Sequence, residues 1–383
     1  MTIAPGRWAW AEIDVDAVAH NVRVMRAAVA PAGLWAVVKA DGYGHGATAV
    51  ATAALAAGAD GLCVALTEEG LALRDAGVGG PILVLSEQPA ADAPRLVAAG
   101  LTPTVTTAAG VDALAAERHR DLAVHLKIDT GMHRVGVDPS AAADLAARIA
   151  RHAPWLRLAG VSTHLAVADE PDDPFTDEQL RRFDDALTTL SEVPAIVHVA
   201  NSAGGLAHPG ARRSFVRAGI ALYGVEPGPG VRHLCRDLHP VLALKARVAA
   251  LRGVAAGEGV SYGLRHRFAC DRLVATVPIG YHDGVRRGLW PGQNVLVGGV
   301  RHPIVGVVTM DQLMVDIGAP AGATVAVGDE VVLIGRQGRE EIRAEEWAQR
   351  LGTIGYEVTC GISPRVPRVL VGADEPGPAT TRP

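Results

Sequence analysis

Apolar and polar positions follow two alternating rhythms through the first part of this chain. Short β-branched or leucine-rich runs predict strands at 34–38, 61–65, 81–85, 102–106, 122–128, 157–163, 195–199 and 215–223. Between them, alanine, leucine, arginine and acidic residues recur at helical spacing over 47–57, 67–75, 112–117, 141–152 and 177–191. Thr176 followed by Gln179 predicts a capping box at the start of the last of these helices. Eight strand–helix units in roughly 200 residues make the pattern of a parallel (β/α)8 TIM barrel. An open doubly wound sheet is the alternative, but no GxGxxG follows the first strand and the count of eight favours the barrel.

Beyond Tyr223 the rhythm changes. Glu226-Pro-Gly-Pro-Gly230 is a stiff linker, and after it come β-branched runs cut by glycine and proline, at 241–251, 273–278, 295–297, 304–308, 313–317 and 331–334. These predict an all-β second domain. The alternating segment 8–14 predicts one more strand, paired with the base of the barrel or with the β domain. The expected organisation is an α/β barrel over 12–230, a C-terminal β domain over 231–371 joined by 1–11, and a disordered tail at 372–383 rich in Pro, Gly and Thr.

The chain has 383 residues, 49% of them apolar and 20% charged, enough for a large core and wrong for a disordered chain. A net charge of -5 leaves no basic footprint for nucleic acid or anionic lipid. Cys63, Cys235, Cys270 and Cys360 lie far apart without a CxxC, so neither a disulfide framework nor a zinc site is expected, and no other metal site is. The opening residues lack a signal-peptide pattern and no apolar run is long enough to span a membrane, so a cytoplasmic globular protein is expected.

Two scarcities direct attention to chemistry. Lysine occurs only at 39, 127 and 245, and tyrosine only at 43, 223, 262, 281 and 356. In a (β/α)8 barrel, functional groups sit at the C-terminal ends of the strands. Lys39 follows the apolar run 34–38, where desolvation favours a neutral, nucleophilic amine. A strand-end lysine is ordinarily a snorkelling surface group. The scarcity of lysine and the Gly-Tyr-Gly-His-Gly that ends at Gly46 reverse that preference. Asn201-Ser202-Ala-Gly-Gly205 after the seventh predicted strand and Gly219-Ile220 after the eighth occupy the usual barrel phosphate position. An amine able to condense with an aldehyde, facing a phosphate cup, implies pyridoxal 5'-phosphate.

The run VVKADGYGHG resembles the cofactor-lysine motif of alanine racemases. HLKIDTGMHRVG, STHLA, HVANS, VRAGIALYG, VSYG, PIGYHDG, TMDQ and TIGYEVTCGISPRVPR resemble later motifs of that family, in the same order, from about Trp8 to Arg368. The resemblance implies a barrel with a C-terminal β domain, pyridoxal phosphate as cofactor, alanine as substrate, and D-alanine supplied for peptidoglycan. It implies that Lys39 carries the cofactor and handles the α-proton of D-alanine. Tyr262 would be the opposite base, reaching the partner's cofactor in a head-to-tail homodimer with shared sites. His164 would join Tyr262 to Arg217 in a hydrogen-bonded chain, and Arg217 would face the pyridine nitrogen.

By the same resemblance, Tyr43, Ser202, Gly219, Ile220 and Tyr356 would hold the phosphate, with His198 and Asn201 alongside in the HVANS motif. Arg134 and the backbone of Met310 would meet the substrate carboxylate, and Tyr281 would gate the entrance. Lys127 matches a lysine that is often carbamylated in the family, and a free amine paired with Asp129 is the simpler alternative. Thr309, Leu264-Arg265, Arg286 and Gly355 depart from the common family pattern around the substrate pocket. The competing readings are a racemase of other amino acids, a decarboxylase using Cys360, and a barrel that only binds the cofactor. Arg217 and Tyr262 argue against the second, and the β domain against the third.

Overall fold

β1 (Ala9–Asp14) is the first of twenty strands in the computed structural model, which describes residues 7–372. The tail expected at 372–383 therefore lies outside the described residues, apart from Gly372, as do residues 1–6. The chain divides into two units, one of residues 18–239 and one of the residues up to Ala17 and from Pro240 on.

The first unit is a closed parallel barrel. Its strands are β2 (Gly33–Val37), β3 (Gly61–Val64), β4 (Ile82–Val84), β5 (Thr104–Val105), β6 (Leu122–Lys127), β7 (Leu156–Ser162), β8 (Ile196–His198) and β9 (Phe215–Ala218). They pair in the orders β4-β3-β2-β9 and β5-β6-β7-β8. A parallel bridge from Leu83 to Thr102 joins β4 toward β5, and Arg217 N–H donates to the Ala200 carbonyl at 3.0 Å, joining the eighth strand to the seventh. β3 and β4 are buried on both faces, as strands enclosed by helices must be. Each fully buried Leu, Val or Ile there contributes about 1.5–3 kcal/mol.

Three local differences from the sequence expectation matter. The eighth strand ends at Ala218 rather than 223, and Ile220–Tyr223 forms a 3-10 turn. Here the Gly219 N–H donates to the Ser202 hydroxyl at 2.8 Å instead of to a neighbouring strand, and the hydroxyl of buried Tyr223 donates to the Val37 carbonyl at 2.9 Å. The helix expected at 177–191 spans Phe175–Thr188 and is not opened by a Thr176–Gln179 box. The Asp173 carboxylate instead accepts from Phe175 N–H at 2.8 Å, and Thr176 is buried inside the first turn. A helix over Val15–Val29, for which no expectation was formed, precedes β2.

The second unit is mainly β. It contains β1 together with β10 (Leu242–Arg247), β11 (Ala250–Val254), β12 (Gly259–Val260), β13 (His266–Arg267), β14 (Arg272–Val277), β15 (Asn294–Val297), β16 (Val300–Pro303), β17 (Leu313–Gly318), β18 (Glu330–Gln337), β19 (Glu340–Ile342) and β20 (Arg368–Val371). One sheet runs β16-β15-β18-β10-β1-β20 with β19 on β18, and another runs β11-β14-β17. β1 pairs antiparallel with β10 and parallel with β20, which assigns the 8–14 segment to this unit. The run at 241–251 is two strands, β10 and β11. The run at 304–308 gives only a bridge from Ile304 to Val315. Two helices, Ala344–Leu351 and Gly355–Cys360, interrupt the β pattern. Lys245 is structural here, with Glu12 at 2.9 Å.

Candidate active site

Lys39 stands at the end of β2 and opens a turn of left-handed conformation. Ala40, Asp41 and Gly42 have φ/ψ of 53/49, 52/49 and 61/45 degrees, and Tyr43 has φ of 52 degrees. For residues other than glycine this conformation costs roughly 1–2 kcal/mol each. Local hydrogen bonds hold it: Glu69 accepts from Ala40 N–H at 2.6 Å, Asp41 accepts from Ala47 N–H at 2.9 Å, and Val38 O accepts from Gly42 N–H at 2.9 Å. Strain is thus stored beside the most suspect amine of the chain.

The turn brings the Tyr43 hydroxyl to the loop after β9. A Cβ on Gly219 would lie 2.6 Å from Tyr43 Oη, so only glycine leaves room there. Ser202 Oγ accepts from the N–H groups of Gly219 at 2.8 Å and Ala221 at 3.4 Å. Tyrosine hydroxyl, serine hydroxyl and backbone N–H therefore converge at one buried point, a donor set that suits a phosphate. Asn201 does a different job: its side chain accepts from Gly204 N–H at 2.9 Å and caps the helix Ser202–Ala207.

Arg217 is buried at the end of β9 and held by several hydrogen bonds. Its Nη1 donates to His198 Nδ1 at 2.6 Å, and its Nη2 to the carbonyls of Thr163 and Val199, each at 2.8 Å. His164 Nδ1 lies 3.3 Å from the same Nη2. Burial lowers the guanidinium to about 10, so it remains a cation at neutral pH. An arginine can only donate, so His198 Nδ1 accepts and the His198 ring carries its proton on Nε2. From His198 that proton passes the bond onward to His125 Nδ1 at 2.8 Å. His198 also stacks on Phe215, with centroids 4.5 Å apart.

Sequence reasoning did not find His125, nor its role under Arg217. A Cβ on Gly160 would stand 2.7 Å from the His125 ring, and the β6–β7 register shifts beside it, between Val124 and His125. Cys63, in the neighbouring β3, is likewise close in field to Arg217 and Lys39, but burial pushes its thiol up to about 12.

Lys127 ends β6. Burial lowers its amine to about 8, and the charges of Arg217, Arg134 and Lys39 push in the same direction. Its Nζ lies 3.4 Å from the Leu85 carbonyl. Asp129 turns instead to the N–H groups of Gly131 at 2.9 Å and His133 at 3.0 Å, which shapes the loop leading to exposed Arg134. Four cationic side chains thus share one end of the barrel. His164 sits well below the ordinary histidine value, first through burial and then through Arg217, Lys127, Arg134 and Lys39.

The remaining candidates lie in the β unit. Tyr262 is 75% exposed, on a turn where Ser261 and Leu264 have φ of 63 and 48 degrees. It lines a cavity of about 500 Å³ together with Ser261, Thr276, Thr309 and Met314. Tyr281 and Met310 are brought together, because Tyr281 N–H donates to Thr309 O at 2.9 Å and His282 N–H to Met310 O at 3.1 Å. Tyr356 is half-buried on the helix Gly355–Cys360. Among the described residues, no cluster of His, Cys, Asp and Glu could hold a metal ion, and no helix is long and apolar enough to cross a membrane.

Residues 13–227 match the family model described as alanine racemase, N-terminal domain, and residues 241–370 match alanine racemase, C-terminal domain. The chain is 47% identical over 369 residues to an alanine racemase of Symbiobacterium thermophilum, spanning 95% of this chain and 97% of that one. It superposes on the crystal structure of alanine racemase from E. faecalis with a TM-score of 0.90 at 39% identity, covering 97% of this chain and 100% of that one. A histidine racemase from Leuconostoc mesenteroides subsp. sake is similar with a TM-score of 0.88 at 29% identity, covering 96% and 99%.

Proposed function

The chain belongs to the alanine racemase family of pyridoxal 5'-phosphate-dependent isomerases, and we propose that it interconverts L-alanine and D-alanine by a two-base exchange at Cα. When bound, the cofactor supplies an electron-withdrawing ring that acidifies the Cα–H of the amino acid it holds. Inversion needs a proton removed from one face of Cα and a proton delivered to the other, so two groups must alternate as acid and base. Lys39 Nζ takes the first role for D-alanine. Tyr262 of the partner subunit takes it for L-alanine, through its phenolic oxygen.

The observation that carries this reading is the hydrogen-bonded setting of Arg217. A guanidinium that stays protonated would meet the ring nitrogen as a donor and leave that nitrogen without a proton of its own. Electron withdrawal is then moderate, which favours prompt return of the proton to Cα. Burial first, and then the same cation, keep His164 a neutral ring. A donor on its Nε2 would stabilise the phenolate form of a facing tyrosine by hydrogen bonding.

Tyr43, Ser202, Gly219, Ile220 and Tyr356 are the groups we assign to the phosphate. His198 and Asn201 act one step back, holding Arg217 and the Ser202 helix. Arg134 and Met310 N–H receive the substrate carboxylate, and Tyr281 narrows the approach. With Lys127 lowered to about 8, part of its amine is neutral at pH 7 and able to take up CO2, releasing one proton and leaving a carbamate anion for Arg134. The cellular role proposed is D-alanine supply for peptidoglycan, in the cytoplasm, by a homodimer with shared sites.

L-alanine incubated with the protein and cofactor in deuterated water tests the reaction. D-alanine carrying deuterium at Cα is the expected product. Neither product nor exchange, with cofactor bound, would remove alanine as the substrate and send the search to other amino acids, histidine among them.

A further inference from the structure

We infer that Gln179 is a positioning residue that sets the spacing between Arg134 and His164, an inference that rests on the roles just proposed for those two groups. Gln179 lies one turn into the helix Phe175–Thr188 and is fully buried. Its side chain joins two loops at the end of the barrel. Oε1 accepts from Ala166 N–H at 2.8 Å, while Nε2 donates to the His164 carbonyl at 3.0 Å and to Thr130 Oγ1 at 3.2 Å. Thr130 Oγ1 in turn lies 2.8 Å from Thr163 Oγ1, and the Thr163 carbonyl is one of the acceptors of Arg217. One amide therefore ties the loop after β6, which leads to Arg134, to the loop after β7, which carries His164.

The same helix face presses on the first loop at two other points. Arg182 Nη1 donates to the Thr130 carbonyl at 3.3 Å, and its guanidinium lies 5.5 Å over the Phe175 ring. The edge of that ring stands 2.6 Å from where a Cβ on Gly131 would be. These contacts locate the first loop, whereas Gln179 bonds to both loops and adds to the direct Thr130–Thr163 hydroxyl contact between them.

Its chemistry is also constrained. Ala166 N–H requires an acceptor and the His164 carbonyl requires a donor, and a planar amide offers one at each end. A carboxylate would satisfy the first and repel the second. A leucine of similar volume would satisfy neither, and each loop would have to shift to find water for a buried backbone group. Displacement of positioned groups by about 1 Å is enough to cost on the order of a hundredfold in a reaction that depends on them.

The test uses cofactor-saturated enzyme as wild type, Gln179→Leu, Gln179→Glu and Thr176→Val. Thr176 lies on the same helix, and its buried hydroxyl has no partner among the described residues, so its variant controls for helix perturbation. Alanine is titrated in and followed by the visible absorbance of the cofactor, alongside cofactor occupancy, melting temperature, kcat and KM. Both Gln179 variants should bind alanine about tenfold more weakly, with cofactor occupancy kept, while Thr176→Val matches wild type. Binding within about twofold of wild type in the Gln179 variants would overturn the inference. So would a loss that appears in both variants only together with lost cofactor and a lowered melting temperature, since Gln179 would then be a folding determinant. Wild type that binds alanine without forming D-alanine would instead strike the proposed reaction, and the binding comparison would still stand.

Discussion

His125, His164 and His198 are held neutral by the barrel, and that has a consequence for stability. Burial is the first cause for all three and the charge of Arg217 the second; His125 is lowered to about 4, the other two well below the ordinary value. In the unfolded chain each titrates near about 6.5. Below that pH the unfolded chain binds protons that the folded one refuses, so stability falls as the solution is acidified and is insensitive to these groups above it. Three such sites give a slope of up to about 4 kcal/mol per pH unit between about pH 6 and about pH 5. Urea unfolding at several pH values checks this against His125→Gln, which removes one site and keeps an acceptor for His198. The variant should show a slope shallower by about a third, and equal slopes would mean that His125 is already charged in the fold. The sequence made Lys39 and Arg217 legible through scarcity and strand-end position. It hid His125, because a lone histidine in an apolar strand has no visible partner, and its partner His198 is 73 residues away. Gln179 was misread for the opposite reason, since Thr-x-x-Gln is a local pattern and the contacts that claim the amide are not local.

Among the elements, the turns at the ends of β2 and β9 carry the cofactor reading, and Gly219 is where they meet. A Cβ on Gly219 would stand 2.6 Å from Tyr43 Oη, so a side chain there displaces the tyrosine hydroxyl. Gly219→Ala should therefore bind pyridoxal phosphate about tenfold more weakly, measured by absorbance titration of cofactor-free protein that circular dichroism shows to be folded. Unchanged affinity would take Tyr43 and Gly219 out of the phosphate site. β3 was legible almost to the residue, because a strand buried on both faces reads as a continuous apolar run. The eighth barrel strand was overrun because Ile220–Tyr223 is just as apolar, yet it turns into a 3-10 segment where Gly219 N–H donates to Ser202. The left-handed turn after Lys39 was not legible at all, since Ala40 and Tyr43 are poor formers of that conformation and distant contacts such as Glu69 hold them there.

For the molecule as a whole, the two proposed bases lie on different units of the chain, Lys39 in the barrel unit and Tyr262 in the β unit. Tyr262 is 75% exposed, and Leu264 and Met310 on the same unit are 49% and 51% exposed. Complementation tests the sharing of sites. Lys39→Ala and Tyr262→Phe chains, differently tagged and each inactive alone, are co-expressed and the mixed dimer isolated. If each site takes Lys39 from one chain and Tyr262 from the other, one site of the mixed dimer collects both defects and the other collects none. Its activity should then be about half that of the wild-type dimer. If each chain supplies both bases to its own site, every site retains one defect, and the mixed dimer stays as inactive as its parents.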